Sequence, residues 1–105
     1  MLDNLIESGK KFSDKFTEDY TFTSDGIVDE SKREYLRWMS KVGAYIEINY
    51  KNQSPGMSKQ ILEYIAKQSP YATDYNVIMG FLESLQDMKK SQDESAKVIT
   101  NILKN

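Results

Sequence analysis

The sequence predicts an all-α fold: a compact bundle of four to five helices, with a long C-terminal helix that projects from it. Residues 31–50 place apolar side chains at i, i+3, i+4, i+7, i+10 and i+11, which is one stripe on a helix. Ser-Pro dipeptides at Ser54 and Ser69 mark where helices stop and start. A length of 105 residues fits a single domain, over residues 1–105, with a modest core.

The first predicted helix covers residues 1–17, and its apolar stripe includes Phe12 and Phe16. Gly9 lies on this stripe, where the missing Cβ predicts close approach of another helix. Residues 18–30 break the helical spacing and contain a Ser-Asp-Gly turn signal. A single strand would have no partner here, so we expect an ordered loop.

The second predicted helix covers residues 31–51 and organises the bundle. Ser31 and Glu34 have the spacing of a capping box. Trp38 is expected in the core, because aromatic side chains are the usual fillers of small cores. Ala44 and Ile48 lie off the main stripe, so the helix either is buried on two sides or keeps a second apolar strip for a partner.

The third and fourth predicted helices cover residues 55–68 and 73–104. Pro55 suits the first position of a helix because its φ is already helical. The fourth helix either runs unbroken to its end or breaks near Ser91, which with Glu94 forms another possible capping box. Gly80 predicts a second close helix contact.

The composition excludes several kinds of chemistry. The chain has no cysteine and no histidine, which removes disulfides, thiol nucleophiles and the commonest zinc ligands. It contains no phosphate-binding glycine loop and no calcium-loop spacing. We therefore predict no catalytic residues, no cofactor and no metal, and hence no enzyme. Without a signal peptide or an apolar run of about 20 residues, a cytoplasmic protein with no membrane partner is expected.

Charge is uneven along the chain, although the net charge is only −2. Residues 1–30 hold eight acidic and three basic residues, whereas residues 31–70 hold three acidic and seven basic ones. Arg33, Arg37 and Lys41 recur at i, i+4 and i+8, so they share one helix face. This face is either a nucleic-acid surface or, since no recognition motif accompanies it, an ordinary solvated face.

Aromatic and apolar residues outside the main stripe are the better candidates for binding a protein, because tyrosine and tryptophan are enriched in binding hot spots. The candidate partner-binding residues are Arg33, Arg37, Lys41, Ala44, Ile48, Tyr50, Tyr64, Tyr71, Ile99, Ile102 and Leu103.

The order of short motifs suggests a family. In chain order they are LIESGKKF, a turn-rich spacer, VDES, YLRW, Tyr50, NQSP, an Ile/Leu helix and YNVIMGFLESL. This layout, over roughly residues 4–90, resembles the small all-helical N-terminal domains of bacterial phage-defence proteins of the abortive-infection type. Those domains usually precede another domain, whereas here we expect no effector domain and hence a free-standing module, a partner subunit, or a phage or mobile-element protein that copies or blocks the host module. The resemblance itself implies a protein-interaction or assembly role and supplies no catalytic residues.

The leading functional prediction is therefore a non-enzymatic protein-interaction or assembly module in phage defence or counter-defence. Its partner is expected to be another protein or a second copy of the chain. The alternative is a small nucleic-acid-binding regulator that uses the basic face of the second helix.

Overall fold

The computed structural model describes residues 1–19, 25–50 and 55–104, and for Asp19, Pro55 and residues 92–104 it describes the backbone alone. Within these ranges lie four helices and one short antiparallel ladder, which confirms the predicted all-α bundle. The elements are α1 (Leu2–Lys10), β1 (Glu18–Asp19), β2 (Asp25–Gly26), α2 (Asp29–Asn49), α3 (Pro55–Ala66) and α4 (Ala72–Lys104).

Helix α1 ends at Lys10, so its predicted extension to residue 17 is wrong. The chain turns over residues 11–14, where the backbone N–H of Phe12 donates to the carbonyl of Gly9. Phe12 and Phe16 both still pack in the core, although neither belongs to the helix. Ser13 and Asp14 are weak helix formers, so little opposes the turn.

The segment that was expected to be a loop contains a two-stranded ladder instead. Glu18 pairs with Gly26 and Asp19 pairs with Asp25 in antiparallel register. Gly26 also bridges to Tyr71, just before α4. The expectation that a strand would lack a partner was wrong because the chain folds back on itself. The first residue of the predicted Ser-Asp-Gly turn, Ser24, lies outside the described residues.

Helix α2 begins at Asp29, two residues before its predicted start. Val28 is the N-cap, no side chain caps the first turn, and the predicted Ser31–Glu34 capping box is therefore not formed. Asp29 and Glu30 place negative charge in the first turn, which stabilises the positive end of the helix dipole.

Helix α3 starts at Pro55, as predicted, and ends in a Schellman-type cap. The N–H of Ser69 donates to Tyr64 O and that of Gln68 to Ile65 O, while Gln68 adopts a φ of 53°. Ser69 Oγ then donates to Asp74 in the first turn of α4, so one short connection ends α3 and begins α4.

Helix α4 is continuous, so the predicted alternative of a break near Ser91 is wrong. Its 33 residues span about 50 Å. Among the described side chains, its last buried one is Leu85. The longest dimension of the molecule is 60 Å against 26 and 23 Å for the others, because α4 extends past the body formed with α1, α2 and α3. No helix in the described ranges combines the length and the apolar character needed to cross a bilayer.

An aromatic cluster forms the centre of the core, with ring centroids 4.7–6.2 Å apart. Its members are Phe12, Phe16, Tyr35, Trp38 and Tyr75. Trp38 is 3% exposed, and its Nε1–H donates to Leu5 O at 2.8 Å, which confirms its predicted place in the core. The Tyr75 hydroxyl donates to Gly9 O at 2.6 Å. Both polar groups thus fix α1 on the bundle through its backbone carbonyls.

The two helical glycines that the sequence singled out have opposite surroundings. A Cβ on Gly9 would lie 2.5 Å from Trp38 Cζ2 and 2.7 Å from Met79 Sδ, which confirms the predicted close approach. A Cβ on Gly80 would meet nothing within 4 Å. The prediction of a second close contact there is wrong, because Gly80 faces solvent.

Burial raises the pKa of two core tyrosines. For Tyr35 the largest cause is desolvation, followed by the nearby Tyr75 and Asp74. For Tyr75 it is desolvation, followed by Glu83. The Tyr35 hydroxyl is fully buried and has no hydrogen-bond partner among the described residues.

We expect stability to fall in alkaline solution. Unfolded tyrosines lose their protons near pH 10, whereas Tyr35 and Tyr75 keep theirs to higher pH. Above about pH 10 the unfolded state binds fewer protons, so the free energy of unfolding decreases, by up to about 1.4 kcal/mol per pH unit for each tyrosine. Urea unfolding between pH 8 and about pH 11 measures this slope. The Tyr35→Phe variant should show a shallower slope, and an equal slope would contradict the assignment.

Candidate partner-binding groove

A surface groove runs between α1 and α2 and has two halves of different chemistry. The halves share the lining residues Leu5, Ser8 and Lys41, so they lie next to each other along the two helices. The groove as a whole is called the α1/α2 groove below, with an apolar half beside Ile48 and a basic half beside Arg37.

The apolar half encloses about 640 Å³. Its sides are completed by Met1, Asn4, Ala44, Tyr45, Ile48 and Asn49. Met1 and Ile48 are each 82% exposed, although both are large and apolar. They come together because Ile48 occupies the last turn of α2 and Met1 immediately precedes α1, and the two helix ends lie side by side.

The basic half encloses about 230 Å³. It is lined by the almost fully buried Phe12 and Trp38 and by the charged residues Lys11, Glu34 and Arg37. Lys11 is engaged by Glu34 at 3.2 Å and lies 5.2 Å from the centroid of the Phe12 ring. Arg37 and Lys41 form no ion pair with another described residue, so this half carries a net positive charge.

Tyr45 forms the inner wall of the apolar half. Its hydroxyl lies 3.5 Å from that of Tyr50, and the two ring centroids are 5.6 Å apart. Burial raises the pKa of Tyr45 to about 12, with smaller contributions from Tyr50 and Asp3. Tyr45 is therefore neutral at physiological pH and offers a ligand a hydroxyl group rather than a charge.

The structure brings four of the predicted binding residues together. Arg37, Lys41, Ala44 and Ile48 all line the α1/α2 groove. They follow one another at i, i+4, i+7 and i+11, a straight stripe along the exposed side of α2. Arg33 is exposed on the same helix but does not line the groove.

The other predicted residues lie elsewhere. Tyr50 is half-buried beside Tyr45 but does not line the groove. Tyr64 is half-buried on α3 and accepts a hydrogen bond from Gln60, while Tyr71 bridges to Gly26. Ile99, Ile102 and Leu103 belong to the distal part of α4, where only the backbone is described.

Sequence reasoning missed the α1 side of the groove. Asn4 and Ser8 lie one turn apart on the polar face of α1, and Lys11 follows at i+7 as the C-cap of that helix. That spacing was visible in the sequence. Nothing in the sequence showed that this face would border the α2 stripe, because the pairing of helices depends on the whole core.

No cluster of three or more potential metal ligands occurs among the described residues. The groove itself offers a lysine, an arginine, hydroxyls and apolar surface. This arrangement suits binding through apolar contact and charge.

In comparisons with protein-family models, with curated proteins and with solved structures, nothing matches the chain. The resemblance to phage-defence domains therefore stays a prediction based on the order of motifs.

Proposed function

We propose that this protein is a non-enzymatic protein-interaction or assembly module that receives its partner in the α1/α2 groove. The resemblance in motif order makes bacterial phage defence or counter-defence the proposed setting. The observation that carries the proposal is the apolar half of the groove, where an isoleucine and a methionine are each 82% exposed.

Few other large apolar side chains in the described part of the chain are exposed. On α2 the stripe residues from Tyr35 to Ile46 are buried or half-buried, whereas Ile48 is not. Four large apolar side chains are exposed among the described residues, and two of them flank this one groove. Clustered apolar exposure beside polar residues is typical of protein-binding surfaces.

The predicted alternative, a nucleic-acid surface on α2, has weaker support. Glu34 lies among Arg33, Arg37 and Lys41, and the negative charge of its carboxylate opposes a phosphate backbone. Apolar side chains also continue the stripe at Ala44 and Ile48, where phosphate contacts would need cations.

Site-specific photo-cross-linking in the cells that make the protein tests this proposal. A photoreactive amino acid replaces Ile48 in the groove or, as a matched control, Glu63, which is exposed on α3 outside the groove. We expect a defined protein adduct, with a foreign protein or with a second copy, from position 48 and not from position 63. Adducts with nucleic acid alone, equal adducts at both positions, or none at position 48 would contradict the proposal.

A further inference from the structure

We infer that the α1/α2 groove binds one amphipathic helix of a protein partner, with apolar side chains at one end and acidic side chains about three turns away. This inference rests on the proposed function and names the chemistry of the partner. It follows from the order of groups along the groove, from the positive charge of one half and from the backbone of its walls.

The α2 stripe places its apolar and basic residues in a fixed order along the groove. Ala44 and Ile48 form its apolar half and Arg37 and Lys41 its basic half. Ile48 and Arg37 are 11 residues apart, which corresponds to about 16 Å along a helix. A ligand that touches both ends must therefore extend over about three helical turns or about five extended residues.

The helical walls of the groove favour a helical ligand over an extended one. Both walls of the groove are α-helices, whose central N–H and C=O groups are bonded within the helix. An extended peptide would find no backbone edge to pair with, and its own polar backbone would be desolvated against Ile48 and Leu5. A helical ligand satisfies its backbone internally and presents only side chains.

The positive charge of the basic half favours acidic side chains on the ligand. Lys11 forms a salt bridge with Glu34. Arg37 and Lys41 have no ion-pair partner among the described residues, so their positive charge is available to a ligand. Both line the basic half together with the aromatic residues Phe12 and Trp38. Carboxylates on the ligand complement this half, whereas lysine or arginine there would be repelled.

Selection from a displayed library of peptides of about 16 residues, a length of more than four helical turns, tests the inference. The full chain serves as the bait at low salt. We expect enriched peptides to carry two apolar residues one helical turn apart. We also expect them to carry acidic residues two to three helical turns away from that apolar pair. Their circular dichroism should show helix formation on binding.

Four variants of the bait give the matched comparisons. Ile48→Glu and the double variant Arg37→Glu, Lys41→Glu should each weaken the selected peptides at least tenfold. Met57→Glu, an exposed apolar position on α3, should leave affinity unchanged. Arg33→Glu, outside the groove lining but one turn from Arg37, should weaken binding much less than the double variant, since only the long-range charge changes. The double variant should prefer peptides whose acidic residues are changed to lysine. Thermal unfolding of every bait verifies that these exposed substitutions leave the fold intact.

Several outcomes would overturn the inference. Enrichment of extended or basic peptides, no enrichment, or equal enrichment on the Ile48→Glu bait would each do so. If position 48 still cross-links to a protein in cells, only the ligand chemistry is wrong and the proposed function stands. If duplex DNA at low salt displaces the peptides and position 48 cross-links only to nucleic acid, both fail. Concentration-dependent dimers that Ile48→Glu abolishes, without selected peptides, would identify a second copy as the occupant instead.

Discussion

Replacing Gly9 by alanine should lower the free energy of unfolding by about 1–3 kcal/mol, the usual cost of overpacking a core. The added methyl would lie 2.5 Å from Trp38 Cζ2 and 2.7 Å from Met79 Sδ, so α1 or the indole must move. Movement of either would also disturb the hydrogen bond from Trp38 Nε1 to Leu5 O. Urea unfolding at neutral pH measures the change.

Gly80→Ala is the matched control, because it makes the same chemical change in open space. A Cβ there meets nothing within 4 Å, so alanine should raise the free energy of unfolding by about 0.5–1 kcal/mol through its better helix propensity. Opposite signs for the two variants are the expected result. A Gly9→Ala protein as stable as the native one would show that α1 does not press against Trp38.

Removing the Tyr75 hydroxyl should cost about 1–1.5 kcal/mol, because Tyr75→Phe deletes a buried hydrogen bond to Gly9 O. The Gly9 carbonyl still accepts a hydrogen bond from the N–H of Phe12. The loss of stability should therefore be smaller than for a buried acceptor that has no remaining hydrogen bond. The aromatic contacts of residue 75 with Phe16 and Trp38 remain in phenylalanine.

Tyr35→Phe is the corresponding control, since the two rings lie 6.2 Å apart in one cluster. The Tyr35 hydroxyl is buried without a hydrogen-bond partner among the described residues, so its removal should leave stability unchanged or raise it by about 1 kcal/mol. A loss in Tyr35→Phe as large as that in Tyr75→Phe would mean that the hydroxyl is satisfied. The same two proteins can be compared by urea unfolding in one series.

Helical periodicity predicted the parts of the fold that depend on one face of one helix. The α2 stripe was predictable because burial selects apolar residues at a spacing of 3.6, and Trp38 falls on that stripe. Gly9 was predictable for a related reason, since a glycine on an apolar stripe leaves room for a neighbouring helix.

Features that depend on distant parts of the chain were not predictable in this way. Phe12 and Phe16 keep a helical spacing of four, so the sequence did not reveal that the helix ends before both of them. The pairing of Glu18 with Gly26 requires a return of the chain that periodicity does not encode.

The α2 side of the candidate site could be predicted from the sequence, whereas the α1 side could not. Arg37, Lys41, Ala44 and Ile48 stood out because they share a face of α2 outside the core stripe. Ser8 could not be joined to them, because only the packing of α1 on α2 makes a groove from two separate faces.

The affinity of the cross-linked partner for two matched variants tests the central claim most directly. Ile48→Glu places a charge in the apolar half of the groove, and Met57→Glu places the same charge on α3 at a position that is 43% exposed. We predict at least a tenfold loss of affinity for Ile48→Glu and native affinity for Met57→Glu, with unchanged thermal unfolding of both. Native affinity for Ile48→Glu would contradict the claim that the α1/α2 groove is the binding surface.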